Sequence, residues 1–181
     1  ASHNHLQDAV TVRHTDQFVS SEEKPSVALR QGKQSSMQLA INAVSDGEAK
    51  AVVSAGNTGA LMAMAKVTLK TLNGIDRPAI GGLIPTQLGE SVMLDLGANV
   101  DCDANNLVQF GMLGAAYARI VLGRERPTVG LINVGQEEIK GSENVQQAAA
   151  LFRAATLPFD FYGFVEGDDL GAGTVDVFVV D

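Results

Sequence analysis

The sequence has no tryptophan, one cysteine, nine other aromatic residues (seven Phe, two Tyr), and fewer Lys and Arg than Asp and Glu, 13 against 21. Each shortage excludes something. With Cys102 alone, no intrachain disulfide or thiolate metal cluster is possible, and a reducing compartment follows. Asp101 and Asp103 flank it and would raise a thiol pKa, so Cys102 reads as an inert structural residue. The net charge of −8 argues against non-specific nucleic-acid binding, which needs an excess of Lys and Arg to neutralise phosphates. Two local basic groups, Arg119, Arg124 and Arg126, and Lys66, Lys70 and Arg77, read as solvated surface charge or as patches inside an acidic whole. Long apolar runs are missing too. Ala51 to Ser54 and Val175 to Val180 fall far short of the roughly 20 residues that cross a bilayer. The polar, histidine-rich Ala1 to Gln7 does not open like an export signal. Cytoplasmic location is the expectation.

What is present is a chain of 181 residues, 45% hydrophobic and 19% charged, enough to bury one sizeable core. It reads as a single α/β domain. Short β-branched runs alternate with longer stretches of helical period, the pattern of parallel strands joined by crossover helices. Strands are expected at Val10 to His14, Ala51 to Ser54, Ala79 to Ile84, Ser91 to Leu96, Thr128 to Asn133, Phe159 to Val165 and Val175 to Val180. Ser20 to Pro25 reads as a polar loop. Helices are expected at Ser35 to Ser45, Thr58 to Lys70, Ala104 to Leu122 (with Asp103 as its cap) and Ser142 to Ala155. The last strand stops at Asp181 with no helix after it, and ligands of doubly wound sheets sit at strand carboxyl ends. The expectation is that part of the site is missing.

Three strand exits share one chemical pattern, a β-run followed by glycine with Asn, Asp or Thr. They are Ser54-Ala55-Gly56-Asn57-Thr58-Gly59-Ala60, Asp95-Leu96-Gly97-Ala98-Asn99-Val100-Asp101, and Asn133-Val134-Gly135-Gln136-Glu137-Glu138-Ile139-Lys140-Gly141. Glycine turns of this kind let backbone N–H groups approach a ligand, and the helix N-terminus that follows favours an anion. Any one of them could be ordinary punctuation, but three together point to a phosphate-sized anion site.

Nucleotide patterns fail. Gly32-Lys33 lacks a glycine five residues earlier, and Gly171-Ala172-Gly173 lacks the third glycine. His3, His5 and His14 lie near the amino end, away from the turns, and no serine sits in a G-x-S-x-G elbow. Asp95, Asp101 and Asp103 make a weak metal set. What remains is a group of Asn and Thr side chains, a few carboxylates, and Lys140. Phosphate is already an anionic nucleophile, so its site needs positioning and charge compensation more than a base. Lys140 fits that need, or is simply a solvated lysine.

The segments SAGNTGA (54–60), IDRPA (75–79), LDLGANVD (94–101), LVQF (107–110) and VGLINVG (129–135), with Glu137 and Lys140-Gly141 after them, resemble the PlsX family of phosphate acyltransferases. The resemblance runs from about Ser26 to Asp181. It implies a Rossmann-like three-layer α/β/α fold with a mostly parallel sheet, related to phosphate acetyltransferases and isopropylmalate-type dehydrogenases. It further implies acyl transfer from acyl-acyl-carrier-protein to inorganic phosphate, no metal or organic cofactor, a homodimer, and loose contact with a membrane. An acetyl- or butyryltransferase using acyl-coenzyme A, or an inactive binding fragment, are the alternatives.

By motif, Asn57, Thr58 and Gly59 would bind phosphate. Asp95, Asn99 and Asp101 would shape the floor; Asn133, Gly135 and Glu137 would line the pocket. Lys140 would balance charge, with Asn99 beside it as the second catalytic candidate. The family's opening AVDAMGGD-like strand and its later GFTGN-like turn are absent, so the segment is expected to be an internal portion of a larger enzyme.

Overall fold

A computed structural model describes residues 9–99 and 101–180. His3, His5, Val100 and Asp181 lie outside the described residues. The chain divides into two compact units, Ala1–Lys70 and Thr71–Asp181.

The first unit is helical: α1 (Pro25–Gln31), α2 (Ser36–Ser45) and α3 (Thr58–Leu69). Pro25 sits in the first turn of α1, where its missing N–H costs nothing. Ser35 caps α2, accepting from the Gln38 N–H at 3.3 Å while its hydroxyl donates to the Gly32 carbonyl at 2.6 Å. Ala28, Met37, Ile41, Ala60 and Met64 make the core of this unit.

Val10 to His14 and Ala51 to Ser54 are not strands, contrary to expectation. The β-branched residues are there, but a strand needs a neighbour for its backbone groups. Among the described residues this unit contains no strand to pair with, and Val12 and Val53 are exposed.

The second unit holds a five-stranded sheet of β1 (Gly82–Thr86), β2 (Gly89–Leu94), β3 (Thr128–Ile132), β4 (Asp160–Val165) and β5 (Val177–Val179), with α4 (Ala104–Val121), α5 (Glu143–Ala154) and α6 (Gly167–Ala172). The strand order is β1-β2-β5-β3-β4, parallel except for the antiparallel edge strand β1. The expected α/β class with a mostly parallel sheet is therefore observed. The two runs around residues 80 and 92 form a hairpin rather than a crossover pair, because only Gln87 and Leu88 separate β1 from β2, which Gly89 opens at φ 122°.

One sheet face is covered by α4 and α5. Leu107, Phe110, Gly111, Gly114, Ala115 and Ala118 form the buried stripe of α4, and its small residues let the helix approach closely. A Cβ on Gly111 would lie 2.7 Å from the Phe152 ring. Phe152 in turn stacks on Phe161, centroids 4.7 Å apart, and meets Phe159 edge-on. On the opposite face, Leu170 of α6 packs with Val165, Val175 and Phe178. The unit is thus three-layered.

This layering places a ligand crevice. The chain leaves β3 for α5 on one face and leaves the adjacent β4 for α6 on the other. Open α/β sheets bind ligands where neighbouring connections part in this way, outside the strand carboxyl ends.

Candidate functional site

The exits of β2, β3, β4 and β5 share one edge of the sheet because those four strands are parallel. Two of the three glycine-and-amide turns prominent in the sequence lie there, Asp95 to Asp101 after β2 and Asn133 to Gly141 after β3. The third, around Asn57, belongs to the first unit.

After β2, the Asp95 carboxylate is buried and fully occupied. One oxygen accepts from the Ile80 N–H at 2.7 Å, and the other from the Asn99 N–H and side-chain amide at 2.7 and 2.8 Å. Asn99 also donates to the Pro78 carbonyl at 3.0 Å. The turn between them needs Gly97, whose φ of 83° is left-handed. Asp95 and Asn99 therefore fold the loop by holding each other. Asp101 is exposed, and its carbonyl accepts from Arg77 at 2.9 Å. Asp103 caps α4 in a reciprocal box with Asn106, as expected of it.

After β3, Asn133 closes the loop on itself: its amide donates to the carbonyls of Gly135 and Lys140, both at 3.0 Å, and its side-chain oxygen accepts from the Val134 N–H at 2.9 Å. Gln146, one turn into α5, points its amide at the carbonyls of Ile139, Lys140 and Gly141, at 3.1 to 3.4 Å. Asn144, also on α5, donates to the Cys102 carbonyl at 3.0 Å, tying this loop's helix to the segment that follows β2.

On that frame, Lys140 Nζ pairs with Glu137 at 2.8 Å, with both side chains about half exposed. The hydrogen bond from Lys140 holds the Glu137 carboxyl below its usual pKa. The same bond, with the charges of Glu137 and then Glu166, holds the Lys140 ammonium above its own. Glu166 opens the loop after β4. Asp169 is held low chiefly by the Glu166 N–H, then by Thr174, with Gln136 of the β3 loop also donating to it. The β3 and β4 exits therefore meet at Gln136 and Asp169, and the charge of Glu166 acts on Lys140. Among the described residues, no group of three or more His, Cys, Asp and Glu is arranged to hold a metal ion.

In the first unit, Asn57 caps α3 by accepting from the Ala60 N–H at 2.9 Å, while its amide donates to the carbonyls of Ser20, Ser21 and Glu23 at 2.8 to 3.1 Å. Thr58 and Gly59 are exposed in the first turn of α3, where backbone N–H groups are open to an anion.

Gln136, Asn144, Gln146 and Glu166 do not stand out in the sequence. Gln136, Asn144 and Gln146 are local to Lys140 in sequence but carry no signal of their own, and only the order of strands brings Glu166 to that edge. His14 pairs with Asp16 at 3.0 Å on the surface of the first unit.

Comparison with known proteins agrees with this architecture. The model of the family described as "Fatty acid synthesis protein" matches residues 1–181. The chain is 64% identical over 171 residues to a protein of Rhodospirillum centenum named "Phosphate acyltransferase", covering 94% of this chain and 48% of that one. It is 58% identical over 176 residues to one of the same name from Paramagnetospirillum magneticum, covering 97% and 50%. The chain thus spans about half the length of the curated relatives it matches. Among solved structures, the EutD phosphotransacetylase from Staphylococcus aureus superposes with a TM-score of 0.55 at 19% identity, covering 80% of this chain and 50% of that one. That likeness is one of fold.

Proposed function

Since this chain belongs to the fatty acid synthesis protein family, we propose that the protein it forms part of transfers a fatty acyl group to inorganic phosphate, with acyl-acyl-carrier-protein as donor. The acyl phosphate formed would supply phospholipid synthesis. The observation that carries the reading is the Asn133–Gly141 loop, which presents Lys140 at the crevice between β3 and β4. The shared name of the relatives supports the same chemistry.

In this mechanism a phosphate oxygen attacks the thioester carbonyl carbon. The tetrahedral intermediate collapses with cleavage of the C–S bond, and the thiolate leaves and takes a proton from water. Phosphate needs no general base, so the work is to desolvate it, aim it and balance charge. Lys140 supplies the positive charge for phosphate and for the developing oxyanion. Asn99 and Asp95 act through the loop backbone they fold, and Asp101 borders that loop. Asn133 and Gly135 set the path of the lysine loop, and Glu137 lines it. In the first unit, taken by itself, Asn57, Thr58 and Gly59 form the start of α3, whose open N–H groups suit an anion.

The chain is then part of a single α/β domain in a longer cytoplasmic enzyme that works as a homodimer, with peripheral contact at a membrane surface. Among the described residues no helix is long and apolar enough to cross a membrane. The test is phosphate-dependent release of carrier-protein thiol from acyl carrier protein by the full-length gene product, run beside acyl-coenzyme A and beside this chain alone. Release that does not depend on phosphate overturns the reading, and preference for acyl-coenzyme A replaces the donor. A full-length enzyme that turns over, beside a 181-residue chain that is silent yet binds phosphate or acyl carrier protein in equilibrium titration, assigns this chain a binding role.

A further inference from the structure

The role of Glu137 is chemically awkward for an anion site, since a carboxylate repels phosphate. We propose that Glu137 is a displaceable counter-ion of Lys140: the anion bound by this loop takes the place of the Glu137 carboxylate on the lysine ammonium. The inference rests on the anion-site reading above and assigns Glu137 a part in it that is not ligation.

Three observations carry it. The pair is accessible, with Lys140 and Glu137 side chains 47% and 59% exposed, so an incoming anion reaches Nζ from solvent and the released carboxylate returns to water. Exposed pairs of this kind are weak and exchange readily.

The frame beneath the pair is independent of it. Asn133 and Gln146 hold the main chain at Gly135 and from Ile139 to Gly141, so the lysine's backbone stays in place when its side-chain partner changes.

The pair is folded down over Gly135. A Cβ on Gly135 would lie 2.6 Å from both Glu137 Oε2 and Lys140 Cδ. The charge of Glu166, at the β4 exit, still favours the charged form of Lys140 after Glu137 has left. The ammonium therefore arrives at the anion charged and placed.

The experiment is calorimetric titration of this chain with inorganic phosphate and, separately, with sulfate, for the wild type, Glu137→Gln and Glu138→Gln. Glu138 lies on the same loop but pairs with Arg153, so it reports the effect of charge alone. Glu137→Gln should bind anion about two- to fivefold more tightly, the range for loss of an exposed ion-pair competitor, and Glu138→Gln should change little. In the wild type, phosphate should also raise the Glu137 carboxyl toward its usual pKa of 4.5, read by carbon NMR without any substitution.

Equal or weaker binding by Glu137→Gln, the same gain in Glu138→Gln, or an unmoved Glu137 carboxyl overturns the counter-ion role while leaving phosphate binding intact. Tighter sulfate binding by Glu137→Gln with no phosphate binding sustains the counter-ion and sinks the phosphate reading. Failure of both anions on all three chains sinks both.

Discussion

Asn133 and Lys140 are joined by a hydrogen bond from the asparagine amide to the lysine's own carbonyl, 3.0 Å long and spanning seven residues. The same amide reaches the Gly135 carbonyl. One side chain thus closes the loop that carries the only lysine at this edge among the described residues.

Replacing Asn133 by Ala removes both donors and the acceptor for the Val134 N–H. One of these bonds is partly buried and two are exposed, so their loss should cost about 0.5–1.5 kcal/mol and leave residues 134–141 exchanging their amide protons faster. Hydrogen exchange read residue by residue checks this. Protection unchanged at Val134 and Lys140 would show that Gln146 alone holds the loop.

Asp95→Asn keeps the shape of the buried side chain but turns one acceptor into a donor that faces the N–H of Ile80 or, if the amide is turned the other way, the two donors of Asn99. About 1–3 kcal/mol of stability should be lost in the second unit, more than for Asp101→Asn on the exposed side of the same loop. Urea unfolding followed by a probe in that unit measures it.

Two glycines of the β3 loop should differ. Gly135→Ala crowds only the side-chain ends of Glu137 and Lys140, so the fold should persist while the ion pair is displaced. Gly141→Ala combines a φ of 89° with a clash against the Asn133 amide, and should cost about 1–3 kcal/mol. Thermal melts of the two variants separate these outcomes, and equal losses would contradict the geometry.

The Glu137–Lys140 pair has a defined pH window. Glu137 is held below its ordinary 4.5, so its contribution is present above that value and fades as pH falls through the lowered pKa. Lys140 is held above 10.5, so its contribution is present below that value and is lost as pH rises through the raised pKa. Between these limits the pair should be intact, and NMR titration of the two side chains should find no break there.

Much of the second unit is legible in the sequence. The apolar period of 104–121 and 143–154, each behind a capping Asp or Ser, and the β-branched runs at 128–132 and 177–179 are elements whose local preference and burial agree. Val10 to His14 and Ala51 to Ser54 carry the same local signal, yet form no strand. Pairing is a property of the neighbour, which no local pattern contains. The short helix α6 has only Leu170 as a large apolar residue, too little for a period to show.

At the site, Asn133, Glu137 and Lys140 stand out because a glycine turn surrounds them. Glu166 and Gln146 do not, since their relation to Lys140 depends on β4 lying beside β3 and on the first turns of α5. By pattern alone the amides of Asn57, Asn99 and Asn133 look like ligand groups, whereas each is engaged in holding main chain, Asn133 in its own loop and Asn57 and Asn99 on the segments at Glu23 and Pro78.

If the strand exits work as proposed, the carboxyl edge of β2, β3 and β4 binds an anion at Lys140. Amide NMR of this chain during titration with inorganic phosphate is the sharpest check. Shifts should gather at residues 97–99, 134–141 and 166–169, and should shrink at least about threefold in Lys140→Ala. Shifts gathered instead at Arg124 and Arg126 on the opposite edge, or undiminished in the Lys140 variant, would contradict it.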